Sequence, residues 1–171
     1  MKMIENTYWV DPNKLLAGPY PRHAMMEEQT RHQLAWLCEQ GITCIIDLTG
    51  PGERSAYRQD FEQVCRRYNI DGIWERFPIT DFGLPDKYLM RDILDEIQRN
   101  IESGGKVYLH CYGGIGRTGT VAACYLVEQG LSSEEALAKL QELRSHTPNA
   151  SYDSPETEAQ RNFVLGWHKA K

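Results

Sequence analysis

The stretch that decides the fold of this 171-residue chain is Lys106-Val107-Tyr108-Leu109-His110-Cys111-Tyr112-Gly113-Gly114-Ile115-Gly116-Arg117-Thr118. The segment from Lys106 to His110 has the length and the apolar centre of a short buried strand. Three glycines then lie between Cys111 and Arg117, and helical spacing begins after Thr118. The stretch therefore predicts a strand, a glycine-rich loop and a helix in immediate succession.

The loop between this strand and this helix has the composition of an anion site. Glycine lets the backbone approach a ligand closely, and consecutive N–H groups at a helix N-terminus bind anions. The loop residues expected to bind a phosphate in this way are Tyr112, Gly113, Gly114, Ile115 and Gly116. Arg117 adds a planar guanidinium that can bind two phosphate oxygens at once. We therefore expect a site for a phosphate dianion.

Cys111 is the candidate nucleophile of this site. A buried cysteine usually packs as a small apolar residue, but here the loop dipoles and Arg117 favour its thiolate form. Thr118 can donate a hydrogen bond to that sulfur, and His110 is expected to support the loop with its ring turned away from the phosphate. A thiolate beside an oxyanion clamp predicts a phospho-cysteine intermediate. A nucleotide-binding P-loop would instead need lysine at the place of Arg117.

The motif His-Cys-x5-Arg-Thr at residues 110–118, called the signature loop below, resembles the signature of the protein tyrosine phosphatase superfamily. The longer string HCYGGIGRTGTVAACYLV resembles the small dual-specificity branch, especially the cyclin-dependent kinase inhibitor 3-type and related microbial phosphatases. The similarity is strongest from Phe77 to Val127 and extends from Lys14 to Trp167. It implies hydrolysis of phosphotyrosine, and also of phosphoserine and phosphothreonine, with no metal and no other cofactor.

Such a reaction needs a carboxylic acid that protonates the leaving oxygen. The candidates are Asp81 and Asp86, in a segment that Pro78 and Pro85 mark as a loop. In the resembled family the acid lies on such a loop about thirty residues before the cysteine, and this implies Asp81. Asp86 opens the next helix and is more simply its N-cap, although it stays the alternative acid.

Two further polar residues have roles that the sequence leaves open. The segment from Ser154 to Arg161 resembles the part of the family that carries a glutamine near the site, and this implies that Gln160 orients the attacking water. The alternative is an exposed glutamine at a helix start. Asp47 follows the strand residues Ile45 and Ile46, where a role in bracing a loop is expected rather than catalysis.

The expected substrate is a phosphorylated protein or peptide. The rival substrates are a phosphoinositide, an inositol phosphate or an RNA 5′-end, and such polyanions favour cations inside the loop. The loop interior supplies none between Cys111 and Arg117. Two non-enzymatic alternatives are a phosphate-binding pseudoenzyme and a redox protein that pairs Cys111 with Cys124. The second requires close sulfurs, whereas Cys124 lies more than three helical turns further on.

Composition excludes several other classes of function. The net charge of −5 argues against broad nucleic-acid binding and against binding to an anionic membrane. The chain has no long apolar run and no N-terminal apolar segment, so a cytoplasmic location and a monomer are expected. The five cysteines follow no framework and are expected to be free thiols. A metal site is not expected, because the cysteines and histidines lack metal-ligand spacing.

Helical and strand patterns alternate along the chain and predict an α/β fold. We expect a central, mostly parallel, twisted sheet of about four to five strands, flanked by helices on both faces. The whole chain, 1–171, is predicted as a single phosphatase domain. Its parts are N-terminal strands at about 8–18, a catalytic core at about 40–145, and a C-terminal loop and helix at about 146–168.

Overall fold

The computed structural model describes residues 3–23 and 25–169. Within them lie the strands β1 (Tyr8–Asp11), β2 (Leu15–Gly18), β3 (Cys44–Asp47), β4 (Ile73–Arg76) and β5 (Val107–His110). The helices are α1 (Glu27–Glu39), α2 (Arg58–Arg67), α3 (Lys87–Glu102), α4 (Gly116–Glu128), α5 (Ser133–Arg144) and α6 (Glu158–Leu165). In this described part of the chain, no helix combines the length and the apolarity that crossing a membrane requires.

The five strands form one sheet in the order β1-β2-β5-β3-β4. Only the pair β1 and β2 is antiparallel, and the other three pairs are parallel. The prediction of a mostly parallel sheet of four to five strands is therefore confirmed. Strand β5 lies at the centre, and its last residue, His110, is paired with Gly18 on one side and Asp47 on the other. The loop that follows β5 thus leaves the sheet between two neighbouring strand ends.

Helices cover both faces of the sheet, as the alternation of helical and strand patterns predicted. Successive strand side chains point to opposite faces, so Tyr108 packs with α1 and α2 while its neighbours Val107 and Leu109 pack on the other side. The first core contains buried residues of α3, α4, α5 and α6, among them Ile93, Ile97, Val121, Ala122, Leu140 and Val164. The second contains Leu34, Leu37, Phe61 and Val64 from α1 and α2.

Helix α4 lies in the middle of the larger core and is buried on all sides. Every residue from Gly116 to Val127 is buried, which is the pattern of an interior helix rather than an amphipathic one. Small residues allow this close packing. At Gly119, an added Cβ would overlap the hydroxyl of Ser154 in the loop before α6. The position of α4 is therefore fixed by the C-terminal part of the chain as well as by the sheet.

Side-chain caps fix the starts of α3 and α5. The carboxylate of Asp86 accepts hydrogen bonds from the N–H groups of Tyr88 and Leu89 and is the N-cap of α3. A capping box of Ser132 with Glu135 is present at the start of α5. Each such cap is worth about 1 kcal/mol. Asp86 therefore has a structural function at this place.

Gly114 lies where the signature loop passes the end of β2. Its φ of +72° is in the left-handed region, which favours glycine. A Cβ at this position would lie 2.5 Å from the carbonyl carbon of Gly18 and 2.7 Å from the nitrogen of Pro19. The close approach is held by the N–H of Tyr20, which donates to the carbonyl of Tyr112 at 2.9 Å. Both the backbone angle and the space thus require glycine here.

We predict that Gly114→Ala destabilises the fold much more than Gly52→Ala. Gly52 has a similar φ of +77°, but a Cβ there would meet nothing within 4 Å. Gly52→Ala should therefore cost only the left-handed strain of about 1 kcal/mol, whereas Gly114→Ala should cost roughly 2 kcal/mol more because the β2 end must move. Urea unfolding of the two variants measures the difference. Equal costs would contradict the tight contact between Gly114 and Gly18.

Candidate active site

The signature loop places Cys111 and Arg117 at the carboxyl edge of the sheet. Cys111 directly follows β5, and Arg117 is the second residue of α4. Both side chains are buried, at 3% and 2% exposure. The N–H groups of the intervening residues 112–115 donate no hydrogen bond to any described residue. A buried thiol, a buried guanidinium and a row of unpaired backbone donors are thus gathered in one loop.

All four terminal N–H donors of Arg117 are occupied by protein oxygens. Nη1 donates to Oε2 of Glu53 and to the carbonyl of Ile79, both at 2.9 Å. Nη2 donates to Oε1 of Glu53 at 2.7 Å and to Oδ1 of Asp81 at 2.9 Å. Burial alone would lower the pKa of Arg117, but the hydrogen bonds to Glu53 and the surrounding negative charges raise it above its ordinary value. The guanidinium is therefore fixed in place and remains charged.

Glu53 is a site residue that the sequence analysis missed. Its bidentate contact with Arg117 lowers its pKa, and its Oε2 also accepts from the N–H of Gly50 at 2.9 Å. Glu53 lies in the loop after β3, next to β5 in the sheet. Loops at the carboxyl ends of neighbouring parallel strands meet at one edge. An acidic residue after the Gly50-Pro51-Gly52 turn was the signal that could have identified it.

The structure brings Asp81 to the signature loop and leaves Asp86 at the helix cap. Asp81 contacts Arg117 through Oδ1, which also accepts from the N–H of Phe82 at 3.1 Å. Its side chain is about half exposed, at 51%. Asp86 makes no polar contact with Cys111 or Arg117 among the described residues and serves as the N-cap of α3. Of the two candidate acids, only Asp81 contacts Arg117 among the described residues.

The expected hydrogen bond from Thr118 to the Cys111 sulfur is not formed. Thr118 is fully buried, and its hydroxyl has no hydrogen-bond partner in the described part of the chain. The reason is its position inside α4, where helical geometry rather than the sulfur sets the direction of the side chain. The prediction that Thr118 donates to the Cys111 sulfur was therefore wrong. The hydroxyl stays a buried donor beside the loop.

His110 lies on the opposite face of the strand end from the loop donors. Its Nδ1 is 2.9 Å from the carbonyl of Cys111, and its Nε2 is 2.5 Å from the hydroxyl of Tyr57. Since a carbonyl can only accept, Nδ1 carries the proton and Nε2 accepts from Tyr57. Complete burial lowers the pKa of His110, and the ring is neutral. The Tyr57 hydroxyl in turn accepts from Nε1 of Trp74 at 3.1 Å.

Gln160 is buried, not exposed, and connects three segments around the loop. It is the third residue of the capping box that starts α6, where its Oε1 accepts from the N–H groups of Glu156 and Thr157. Its Nε2 donates to the carbonyl of Gly83, two residues after Asp81, at 3.2 Å. A Cβ at Gly116 would lie 3.0 Å from Oε1 and 3.1 Å from Nε2 of the same amide. Gln160 thus joins the Asp81 loop to the start of α4.

Hydrogen bonds from Ser154 and Tyr20 hold two carbonyls of the signature loop, and Asp47 braces the neighbouring loop after β3. The Ser154 hydroxyl donates to the carbonyl of Ile115 at 2.6 Å, and Tyr20 binds the carbonyl of Tyr112 as described above. Asp47 braces the loop after β3 as expected. Its Oδ1 accepts from the N–H and the hydroxyl of Thr49, and its Oδ2 pairs with Arg76 at 3.1 Å. Both sides of the signature loop are therefore anchored.

The cysteines do not form a redox pair at the site. All five are free, and Cys124 is buried in α4, where burial raises its pKa. The two sulfurs that do approach each other, Cys38 and Cys65 at 3.9 Å, lie in the core on the other face of the sheet. Among the described residues, no group of three or more acidic, cysteine or histidine side chains is placed to hold a metal ion.

The sequence is similar to those of named phosphatases and related proteins. Human cyclin-dependent kinase inhibitor 3 is 36% identical over 110 residues, which cover 61% of this chain and 50% of the human protein. An Arabidopsis thaliana protein named phosphatidylinositol 3,4,5-trisphosphate 3-phosphatase and protein-tyrosine-phosphatase PTEN1 is 29% identical over 157 residues, which cover 91% of this chain and 36% of that protein. The chain thus spans about half the length, or less, of these two relatives.

The fold and a family model agree with these relatives. Kinase-associated phosphatase, in a crystal structure with its catalytic-site cysteine replaced by serine, superposes with a TM-score of 0.70 at 25% identity. The match covers 94% of this chain and 90% of that one. A family model described as a polymorphic toxin system DSP-PTPase phosphatase matches residues 21–131. The chain belongs to the dual-specificity branch of the protein tyrosine phosphatase superfamily.

Proposed function

We propose that this chain hydrolyses phosphate monoesters on proteins, phosphotyrosine first and phosphoserine and phosphothreonine as well, through a phospho-cysteine intermediate. The observation that carries the proposal is the contact between Arg117 and Asp81 beside the buried thiol of Cys111. In the proposal, Cys111 is the nucleophile, Arg117 the oxyanion clamp and Asp81 the proton donor. This is the set of groups that the reaction needs.

In the first step, the Cys111 thiolate attacks phosphorus. An S–P bond forms while the P–O bond to the leaving group breaks, and the leaving oxygen takes a proton from the Asp81 carboxylic acid. The negative charge on the three equatorial oxygens is stabilised by the N–H groups of residues 112–116 and by Arg117. The N–H groups of residues 112–115 are unpaired within the described chain, so binding a phosphate breaks none of their hydrogen bonds.

Phosphate binding and release of the acid are coupled through Arg117. Since its four terminal donors are all occupied, a phosphate oxygen can take one of them only by displacing a protein acceptor. The carboxylate of Asp81 accepts from one N–H of Arg117 and is half exposed, whereas that of Glu53 accepts from two N–H groups of Arg117. We infer that the phosphate displaces Asp81, which frees this carboxyl to approach the leaving oxygen. Glu53 meanwhile keeps the guanidinium in its plane.

In the second step, water attacks phosphorus and the S–P bond breaks. Asp81, now a carboxylate, takes the proton from that water, and inorganic phosphate leaves. We assign one N–H of the Gln160 amide to this water, because the other contacts of Gln160 already join the Asp81 loop to Gly116. His110 supports the loop from behind through its hydrogen bond to the carbonyl of Cys111.

A phosphorylated protein or peptide is the favoured substrate because the loop interior carries no cation besides Arg117. A second candidate is a phosphoinositide. It is favoured by the similarity to the Arabidopsis protein, whose name combines a phosphoinositide activity with a protein-tyrosine activity. Turnover of phosphotyrosine, phosphoserine and phosphothreonine peptides, compared with phosphoinositides at equal concentration, decides between the two.

We predict that Cys111→Ser lowers the turnover of an aryl phosphate by roughly 10⁴-fold or more, because a serine hydroxyl is not ionised in this loop. Binding of inorganic phosphate, measured by calorimetry, should persist, since the N–H groups and Arg117 are unchanged. The matched variant is Cys124→Ser in α4, the helix that follows the loop, and it should keep the activity. Full activity of Cys111→Ser would refute the assigned nucleophile.

We predict that Asp81→Ala lowers kcat by about 10²–10⁴-fold, which is the usual contribution of a general acid. KM should change little. The loss should be smaller for p-nitrophenyl phosphate than for a phosphotyrosine peptide, because nitrophenolate leaves without a proton. Asp86→Ala is the control, and it should cost about 1 kcal/mol of stability through the lost cap while kcat is kept. An unchanged kcat in Asp81→Ala would move the acid role to Asp86.

A further inference from the structure

Two cysteine sulfurs meet in the core that α1 and α2 form on one face of the sheet. The Sγ atoms of Cys38 and Cys65 lie 3.9 Å apart, although the two residues are 27 positions apart in the chain. Both side chains are buried, and neither has a part in the chemistry described above. A buried cysteine usually packs as a small apolar residue, whereas two thiols in contact are also the two reactants of a disulfide.

The two sulfurs lie at the ends of neighbouring helices. Cys38 is the last residue but one of α1, and Cys65 lies two residues before the end of α2. The Tyr68 hydroxyl donates to Oε1 of Glu39 at 3.0 Å and joins the two helix ends at the surface. Helix ends open more readily than helix centres. A small oxidant can therefore reach these sulfurs while the sheet stays folded.

Gly72, directly before β4, leaves the space that the Cys65 sulfur occupies. A Cβ at Gly72 would lie 2.4 Å from this sulfur, so a larger residue there would displace it. Formation of an S–S bond of about 2.0 Å requires the two sulfurs to approach by about 1.9 Å. Rotation of the side chains about their Cα–Cβ bonds can supply a shift of this size. The bond thus requires only a local rearrangement.

The contact makes the two thiols chemically unequal. The hydrogen bond from the Cys38 thiol lowers the pKa of Cys65, against the effect of burial. The same hydrogen bond, together with burial, raises the pKa of Cys38. The thiolate is the form of cysteine that reacts with oxidants. Cys65 is therefore the sulfur that is oxidised first, and Cys38 is the sulfur that attacks the product.

We propose that Cys38 and Cys65 form an intramolecular disulfide when the chain meets hydrogen peroxide. The Cys65 thiolate attacks a peroxide oxygen, an S–O bond forms and the O–O bond breaks, and the leaving hydroxide takes the proton that Cys65 lost. The Cys38 sulfur then attacks the sulfur of this sulfenic acid. The S–S bond forms, the S–O bond breaks, and hydroxide leaves with the Cys38 proton as a second water. Two thiols are oxidised, and one peroxide is reduced to two waters.

The disulfide closes a covalent loop around part of the active site. The segment between the two cysteines contains β3 and, after it, Glu53 and Tyr57. Glu53 accepts two hydrogen bonds from Arg117, and the Tyr57 hydroxyl is bonded to the ring of His110. A cross-link that closes a chain segment restricts the unfolded state. The bond therefore stabilises the folded arrangement of the segment that supports Arg117 and the signature loop.

Peptide mapping tests the bond after treatment with hydrogen peroxide, alkylation of the remaining thiols and digestion with trypsin. Cleavage after arginine places Cys38 and Cys44 in the peptide 32–54 and Cys65 in the peptide 59–66. We expect these two peptides to be joined in the monomer and released by dithiothreitol. Cys38→Ala should abolish the joined species. The matched variant Cys44→Ala alters the same peptide and should keep it.

The thermal midpoint of unfolding gives a second measurement. The peroxide-treated chain should unfold roughly 5–10 °C above the same sample after reduction, because the disulfide closes a loop of 27 positions. This difference should vanish in Cys38→Ala and in Cys65→Ala and persist in Cys44→Ala. Each comparison is made within one variant, so a stability change caused by the substitution itself does not enter the difference.

Three results would overturn the proposal. The first is a joined peptide that persists in Cys38→Ala, which would assign the bond to Cys44. The second is a link to the peptide 107–117, which carries Cys111 and would place the disulfide at the signature loop. The third is recovery of Cys38 and Cys65 as alkylated thiols while Cys111 is oxidised. Neither measurement uses phosphatase activity, so the outcome is independent of the proposed function.

Discussion

The site depends on the burial of one positive charge, the guanidinium of Arg117. Removing an ion from water costs several kcal/mol unless it is paired and hydrogen-bonded. Here two carboxylates and a carbonyl take up all four terminal donors. Those acceptors come from the loop after β3 and the loop after β4, so this charge holds two loops against the signature loop. Removing Glu53 would leave the charge buried with a single acid partner.

The parallel sheet makes this convergence possible. Strands β3, β4 and β5 end at the same edge, and the residues after them supply Glu53, Asp81 and Cys111. None of the three is close to another in sequence. The signature loop directly follows the central strand β5. Main-chain hydrogen bonds to β2 and β3 on both sides of β5 therefore set the position of the start of the loop. One edge of the sheet therefore brings together residues that lie far apart in the chain.

Much of this could be predicted from the sequence. The order of strands and helices followed from local periodicity. Cys111 and Arg117 were predicted from the motif, and Asp81 was predicted from the family resemblance. Glu53 was missed because its role exists only through a contact with a residue far along the chain. The Thr118 contact was wrong and the burial of Gln160 remained open, because both depend on side-chain direction inside packed helices. Motifs identify chemical groups, and packing decides which atoms meet.

The carbonyl groups of the signature loop have a further consequence. The carbonyls of Cys111, Tyr112 and Ile115 each accept a hydrogen bond from a residue before Cys111 or after Thr118: the His110 ring, the Tyr20 N–H and the Ser154 hydroxyl. In a planar trans peptide the N–H points opposite to the C=O. Each of these donors therefore turns the following N–H the other way, and together they set the sign of the electric field inside the loop. Three residues that do not contact the anion, His110, Tyr20 and Ser154 of the C-terminal segment, therefore orient the N–H groups that would attract it.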